Sequence, residues 1–91
     1  MNKDVKQLLS QHQQLIHSEL KKVTSHVQRE DGDWFLNTVM LEGTDSPFKF
    51  KRKQPYQSLK GQRVNLTYYR ETEMIAGFEM EYMKVVRIKA S

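Results

Sequence analysis

The residues best suited to chemistry lie in one basic stretch, from Pro47 to Arg63, which holds six Lys/Arg residues and no acidic residue. Aromatic and basic side chains alternate along Phe48–Lys53, a pattern typical of a half-buried strand. Cations neutralise the phosphates of a polyanion, and aromatic rings provide surfaces on which bases stack. The pattern predicts a site for single-stranded DNA or RNA. Its residues are Lys49, Lys51, Arg52, Lys53, Tyr56, Lys60, Arg63 and Tyr69.

The same basic stretch has two other interpretations, which the sequence leaves open. In the first it is a solvated strand face whose cations pair with Glu79 and Glu81 on a neighbouring strand. Lysines on an edge strand also guard a sheet against aggregation. In the second interpretation the cations bind an acidic protein partner. The stretch therefore indicates a class of ligand and does not by itself establish a function.

The composition of the chain excludes several classes of protein. The 91 residues include no cysteine, which predicts a single domain, 1–91, without disulfides or thiolate metal sites. No apolar run is long enough to cross a membrane, and the N-terminus lacks the apolar core of a signal peptide. We therefore expect a cytoplasmic protein. Residues 1–45 carry a net charge of −2 and residues 46–91 a net charge of +6, so the second half suits a binding face for an anion.

Neither catalysis nor metal binding is indicated. The serines have no nucleophile motif around them, and Gly61 lacks the glycine-rich context of a phosphate loop. A metal site on a helix needs a second ligand about four residues from His12, where the chain has Ile16. His17 falls on another side of such a helix, and His26 lies too far along it. We expect a non-enzymatic protein without a metal or a cofactor.

The first part of the chain has apolar residues at helical spacing. Val5, Leu9, Ile16, Leu20 and Val27 follow a stripe with polar residues between them, which predicts an amphipathic helix over about residues 1–25. An alternative ends this helix earlier, because Val23–Val27 is rich in β-branched residues and an Asp-Gly pair, a hairpin signal, follows. Residues 23–29 then form a first strand that pairs with residues 34–42.

Residues 26–91 are predicted to form an antiparallel β region. Trp34–Leu41, Phe48–Lys53 and a strand beginning near Val64 are separated by turn residues, and Glu71–Glu73 is expected to turn the chain into a last strand. With no long crossover available, we expect no parallel pairing. The fold class is α+β, in which the helix packs on a meander of four or five strands that stays open or closes into a small barrel.

Three segments of this β region resemble OB-fold-like small β-barrels. They are Phe48–Lys51, Leu59–Leu66 and Phe78–Tyr82, and the resemblance covers about half of the chain. A usual OB pattern has a helix between its third and fourth strands, which this sequence lacks. The resemblance implies a small barrel, and by analogy a single-strand binding face. It identifies no specific family.

The helical stripe supports a different functional hypothesis. A helix carried to Arg29 would be roughly 39 Å long at about 1.5 Å per residue, longer than a globule of this size. Its overhanging apolar face would need a cover, such as a second subunit. The alternative function is thus a dimeric protein-interaction or accessory domain, either a homodimer or a complex with a helical protein partner.

Overall fold

The fold is a single sheet of five strands. The computed structural model describes residues 14–91, with β1 at Ile16–Asp31, β2 at Trp34–Leu41, β3 at Phe48–Arg52, β4 at Arg63–Ile75 and β5 at Phe78–Ala90. The spatial order is β1-β2-β3-β5-β4, and β4 pairs in turn with β1, so the sheet closes into a ring. β3 and β5 are parallel, whereas the other neighbours are antiparallel, which makes the sheet mixed.

The predicted α+β class is wrong, because the described part of the chain is all-β. Residues 16–25 of the predicted helix belong to β1, and residues 1–13 lie outside the described residues. Of the apolar stripe, Ile16, Leu20 and Val27 are 41%, 54% and 60% exposed, whereas Val23, between them in sequence, is fully buried. The helical spacing therefore did not mark one buried face.

Two irregularities in β1 explain why its sequence imitates a helix. The register of β1 shifts between Ser18 and Lys21 on its β4 side, and between Val23 and Ser25 on its β2 side. Leu20, within the first shift, has a φ of 56°, in the left-handed region. Each shift breaks the two-residue alternation of a strand, so that the apolar positions follow neither strand period for long.

The alternative prediction for residues 23–29 is confirmed. This half of β1 pairs with β2 in an antiparallel ladder that runs from Val23↔Leu41 to Asp31↔Trp34. The ladder ends in a two-residue turn whose Gly32 has a φ of 63°. A positive φ is what such hairpin turns require and what glycine supplies without strain.

The predicted antiparallel meander is also wrong. After β3 the chain leaves the ring, forms β4 beside β1, and returns as β5 between β4 and β3. The prediction that no parallel pairing occurs is wrong, because β4 itself provides the connection between the parallel strands β3 and β5. Glu71–Glu73 does not turn the chain but lies within β4, and the turn falls at Ala76 and Gly77, with φ values of 51° and 85°.

The core lies inside the ring and receives residues from every strand, at alternate positions in β2, β3 and the first part of β4. Val64 and Leu66 of β4 point inward, and they are 0% and 1% exposed. The buried cluster comprises Val23, Val39, Leu41, Phe48, Phe50, Leu59, Val64, Leu66, Val85 and Ile88. Leu59 comes from the loop between β3 and β4, which therefore belongs to the core and not only to the surface.

A chain of hydrogen bonds fixes this loop to the ring. The backbone N–H of Leu59 donates to Nδ1 of His26 at 2.9 Å, so the ring proton lies on Nε2, which donates to Oδ1 of Asn37 at 2.8 Å. The amide nitrogen of Asn37, which is 1% exposed, donates to the carbonyl of Phe35 at 3.2 Å. Every polar atom of the buried Asn37 amide is thereby engaged, as burial requires.

Candidate functional site

One tryptophan and two lysines meet on the outer surface of the β2–β3 pair. Phe35 pairs with Arg52 and Leu36 with Lys51, so continuing the register places Lys53 opposite Trp34. The Nζ atoms of Lys53 and Lys51 lie 4.8 Å and 5.8 Å from the centre of the Trp34 ring. We call Trp34, Lys51 and Lys53 the indole–lysine patch.

The patch is accessible, and its charge is not neutralised from within the fold. Trp34 is 40% exposed, and both lysines are exposed. Within residues 14–91, no carboxylate lies within 4.0 Å of the ammonium group of Lys51 or Lys53. Their contacts are with the face of an aromatic ring, which attracts a cation but leaves its net charge in place. The patch therefore offers a flat ring beside two positive charges.

Lys49 lies on the same outer surface but differs from the two lysines of the patch. Its Nζ donates to Oε1 of Glu73 at 3.0 Å and lies 5.0 Å from the centre of the Tyr82 ring. A cation paired in this way adds little to the field that attracts a polyanion. The expected pairing between β3 cations and carboxylates thus occurs for Lys49, through Glu73 in place of Glu79 or Glu81.

Arg52, at the end of β3, contacts Tyr56, which belongs to the β3–β4 loop. The guanidinium of Arg52 lies 4.9 Å from the Phe50 ring and 5.7 Å from the Tyr56 ring, and its Nη1 donates to the Lys51 carbonyl at 2.8 Å. Tyr56 makes an edge-to-face contact with Phe50 at 5.5 Å and a tilted contact with His26 at 6.3 Å. The Tyr56 ring is thus used in packing the loop onto the ring of strands.

The remaining predicted residues lie in other parts of the fold. Tyr69 is only 8% exposed, which leaves little of its ring for a base. Lys60 is exposed at the far end of the loop, and Nη1 of Arg63 donates to the Leu20 carbonyl of β1 at 2.9 Å. Of the eight predicted site residues, the structure brings only Lys51 and Lys53 onto one exposed aromatic ring.

Trp34 is the residue that sequence reasoning missed. The sequence pattern identifies it only as the start of a strand, because it lies outside the basic stretch and its neighbours Phe35 and Leu36 resemble core residues. The available signal was the register. A two-residue turn at Gly32 followed by a short loop to Phe48 places the beginning of β2 next to the end of β3.

The phenol of Tyr82 has a pKa above the ordinary tyrosine value. Burial raises the pKa of the Tyr82 phenol, and the nearby carboxylates of Glu71 and Glu73 raise this pKa further, partly opposed by Lys84. These three charged residues share the outer surface of β4 and β5 with Tyr82 and Lys49. The neutral phenol is a hydrogen-bond donor and not a nucleophile at ordinary pH.

A shallow cavity of about 300 Å³ lies elsewhere, on the β1–β4–β5 side of the ring. It is lined by His17, Glu19, Asn65, Leu66, Thr67, Arg87 and Lys89, and thus by none of the predicted site residues. Among residues 14–91, no three His, Asp or Glu side chains are grouped as a metal site requires. In the same residues no helix is long and apolar enough to span a membrane.

No protein-family model matches the chain, and neither a curated protein nor a solved structure shows significant similarity to it. The resemblance to OB-fold-like barrels therefore stays a prediction from the sequence pattern.

Proposed function

We propose that this domain is a small, non-enzymatic binding module for single-stranded nucleic acid and that the indole–lysine patch is its contact surface. The observation that carries the proposal is the position of two unneutralised lysines, at 4.8 Å and 5.8 Å, over one exposed indole ring. A base stacks on the ring, and the lysines swing to the phosphates on either side of that base. Stacking on an aromatic side chain is worth about 1–3 kcal/mol per base.

The chemistry of the patch favours a single strand over a duplex. A base can lie flat on Trp34 only when it is free to leave its neighbours, whereas the bases of a duplex stay stacked on one another. Lysine ammonium groups are point charges that suit phosphates without selecting a base. We therefore expect binding that tolerates different sequences and depends steeply on salt.

The charge distribution supports a polyanion at this surface. Both lysines of the patch lie in the segment between Pro47 and Arg63 that has six cations and no acid. The carboxylates of Glu71 and Glu73 lie on the side of Lys49, at the β4–β5 end of the outer surface. Asp31, opposite Trp34 in the β1–β2 ladder, is the carboxylate on the other side of the indole, so the bound strand is expected to cross from Trp34 toward β3, where Lys51 and Lys53 lie.

The experiment that tests the proposal is anisotropy of labelled single-stranded oligonucleotides of about 16 nucleotides, a length that covers the usual site sizes. The Lys51→Ala/Lys53→Ala double variant is compared with Arg87→Ala/Lys89→Ala, which loses the same charge on β5, at the cavity lined by His17 and Glu19. We expect the first pair to abolish most of the affinity and the second pair to weaken binding only slightly. Equal losses of affinity would show that binding depends only on the net charge of the protein and that the patch is not a specific site.

The alternative function, a dimeric interaction domain, relied on an N-terminal helix. β1 occupies residues 16–25 of that helix, so the apolar stripe on which the hypothesis depended does not exist there. An acidic or helical protein partner for the basic stretch stays a prediction. A purely electrostatic contact with an acidic protein does not need the exposed indole, whereas a base stacks on it. Nucleic acid is therefore the better-supported ligand.

A further inference from the structure

A second surface lies at the end of the β4–β5 hairpin, where two strands extend beyond their neighbours. β5 pairs with β3 only at Phe48↔Met83 and Lys49↔Lys84, whereas its ladder with β4 continues to Ile75↔Phe78. The molecule measures 43 × 30 × 26 Å, in agreement with an extended element. Residues 78–82 of β5 therefore have a strand on one side and, within residues 14–91, no strand on the other. We call this side the free edge of β5.

The hydrogen-bonding groups that face the free edge can be assigned. A two-residue hairpin turn is closed by a pair of residues that bond to each other, here Ile75 and Phe78, and the pattern then alternates. Phe78, Met80 and Tyr82 thus direct their N–H and C=O groups toward β4. Glu79 and Glu81 direct theirs outward. The N–H of Met83, next in this series, confirms the alternation, because it donates outward to the Pro47 carbonyl at 2.8 Å.

The side chains along this edge form two chemically distinct faces. Phe78 and Met80, which are 71% and 50% exposed, share one face with Tyr82. Glu79 and Glu81 lie on the opposite face, since successive strand residues alternate. Glu81 forms an exposed ion pair with Arg70 of β4 at 3.3 Å, which a basic peptide must share or displace. Between Phe78 and Tyr82 there is no proline and no bulge, so the two glutamates are the feature of this edge that selects what can pair with it.

The charges disfavour a second copy of the same edge as the occupant. Two-fold pairing centred on Met80 places Glu79 of one copy opposite Glu81 of the other. Pairing centred on Glu79 or on Glu81 places that carboxylate opposite itself. Like charges directly opposite each other destabilise a strand pair. Phosphates of a nucleic acid are repelled for the same reason.

We propose that the free edge of β5 accepts an extended peptide as an added strand and that this peptide alternates basic and apolar residues. Its Lys or Arg side chains face Glu79 and Glu81, and its apolar side chains cover Phe78 and Met80. Its backbone bonds to the outward N–H and C=O groups of both glutamates. Main-chain bonds of this kind supply affinity, and the alternating side chains supply selectivity. The proposal is independent of nucleic-acid binding at the indole–lysine patch.

The test uses the whole chain and a synthetic peptide, Lys-Val-Lys-Val-Lys-Val-Lys, with amide hydrogen exchange followed by NMR. We expect the peptide to slow exchange at Glu79 and Glu81 by about tenfold or more, because their amides become bonded. The amides of Phe78 and Met80, already bonded to β4, change little. The control peptide Glu-Val-Glu-Val-Glu-Val-Glu gives no protection.

Two variants complete the test. Glu79→Lys removes one carboxylate from the edge and should abolish protection by the basic peptide, whereas Glu30→Lys on β1 makes the same change of charge elsewhere and should retain it. Protection by the oligonucleotide, or protection that grows with protein concentration alone, would overturn the proposal in favour of nucleic acid or a second copy. Equal protection by both peptides, or protection by neither, would also overturn it.

Discussion

The ammonium group of Lys53 lies 4.8 Å from the centre of the Trp34 ring, although nineteen positions of the sequence separate the two residues. The β2–β3 register brings them together, since Trp34 begins β2 and Lys53 follows the last residue of β3. This pair joins a base-stacking surface to a phosphate-binding charge. It is the geometric basis of the function proposed above.

The salt dependence of binding should report the two lysines of the patch. For single strands, each phosphate contact contributes roughly 0.7 to the slope of the logarithm of affinity against the logarithm of salt concentration. We expect Lys51→Ala/Lys53→Ala to reduce this slope by about 1.4, as measured by anisotropy at several salt concentrations. A variant with lower affinity but an unchanged slope would show that these lysines do not contact phosphates.

Replacing Glu73 by glutamine should strengthen binding. Glu73 holds Lys49 at 3.0 Å, and the substitution releases a cation toward the ligand while removing a negative charge from the same surface. We expect an increase in affinity of about two- to fivefold at low salt, shrinking as salt screens the charges. The double variant Lys49→Ala/Glu73→Gln is the control, and it should lose this gain. An unchanged affinity for Glu73→Gln would place the bound strand away from Lys49.

The hydrogen-bonded chain through His26 should contribute strongly to stability. In His26→Ala, the Leu59 N–H and the Oδ1 of buried Asn37 both lose their partner. An unsatisfied buried polar group costs about 1–3 kcal/mol, so we expect the free energy of unfolding to fall by about 2–4 kcal/mol in urea titrations. His17→Ala, which removes an exposed hydrogen bond to Thr67, should cost less than about 1 kcal/mol. Similar losses for both variants would contradict this account.

Tyr82 should ionise at a higher pH than an ordinary tyrosine. Its pKa is raised by burial first and by Glu71 and Glu73 second. The unfolded chain therefore loses this proton before the folded one, and the Tyr82 contribution to stability decreases as pH rises above the ordinary tyrosine pKa of about 10. Carbon NMR of the tyrosine Cζ atoms measures the titration directly. Glu71→Gln/Glu73→Gln should lower this pKa but leave it above the ordinary value, because burial still acts. An unchanged pKa in this variant would show that burial alone raises it.

Much of the β region was predictable because its local signals agree with one another. The turn at Gly32, the β2 and β3 strands and the inward face of Val64 and Leu66 all follow from alternation and turn residues. The helix was wrong because the register shifts near Leu20 and Val23 produce a helix-like spacing in a strand. No periodicity in the sequence identifies such shifts, since they depend on pairing with two different neighbours.

The candidate site was predictable only in part for a similar reason. The lysines were evident from composition, which does not depend on folding. Their aromatic partner was not, since Tyr56 and Tyr69 lie within or next to the basic stretch, whereas Trp34 reaches it only through the sheet. Tyr69 is almost entirely buried, and Tyr56 packs against Phe50. Proximity in the sequence therefore predicted Tyr56 and Tyr69 as the stacking rings, whereas the strand register places the exposed ring of Trp34 beside the lysines.

The most direct test of the central claim is the fluorescence of Trp34, the single tryptophan of the chain, during titration with an unlabelled single-stranded oligonucleotide. A base stacked on the indole should quench this emission, and the quenching should saturate at the concentration at which anisotropy reports binding. Inorganic polyphosphate, which carries charge without bases, should compete for the site without comparable quenching. If the oligonucleotide binds while the emission of Trp34 stays unchanged, the strand does not stack on the indole, and the indole–lysine patch is not its site.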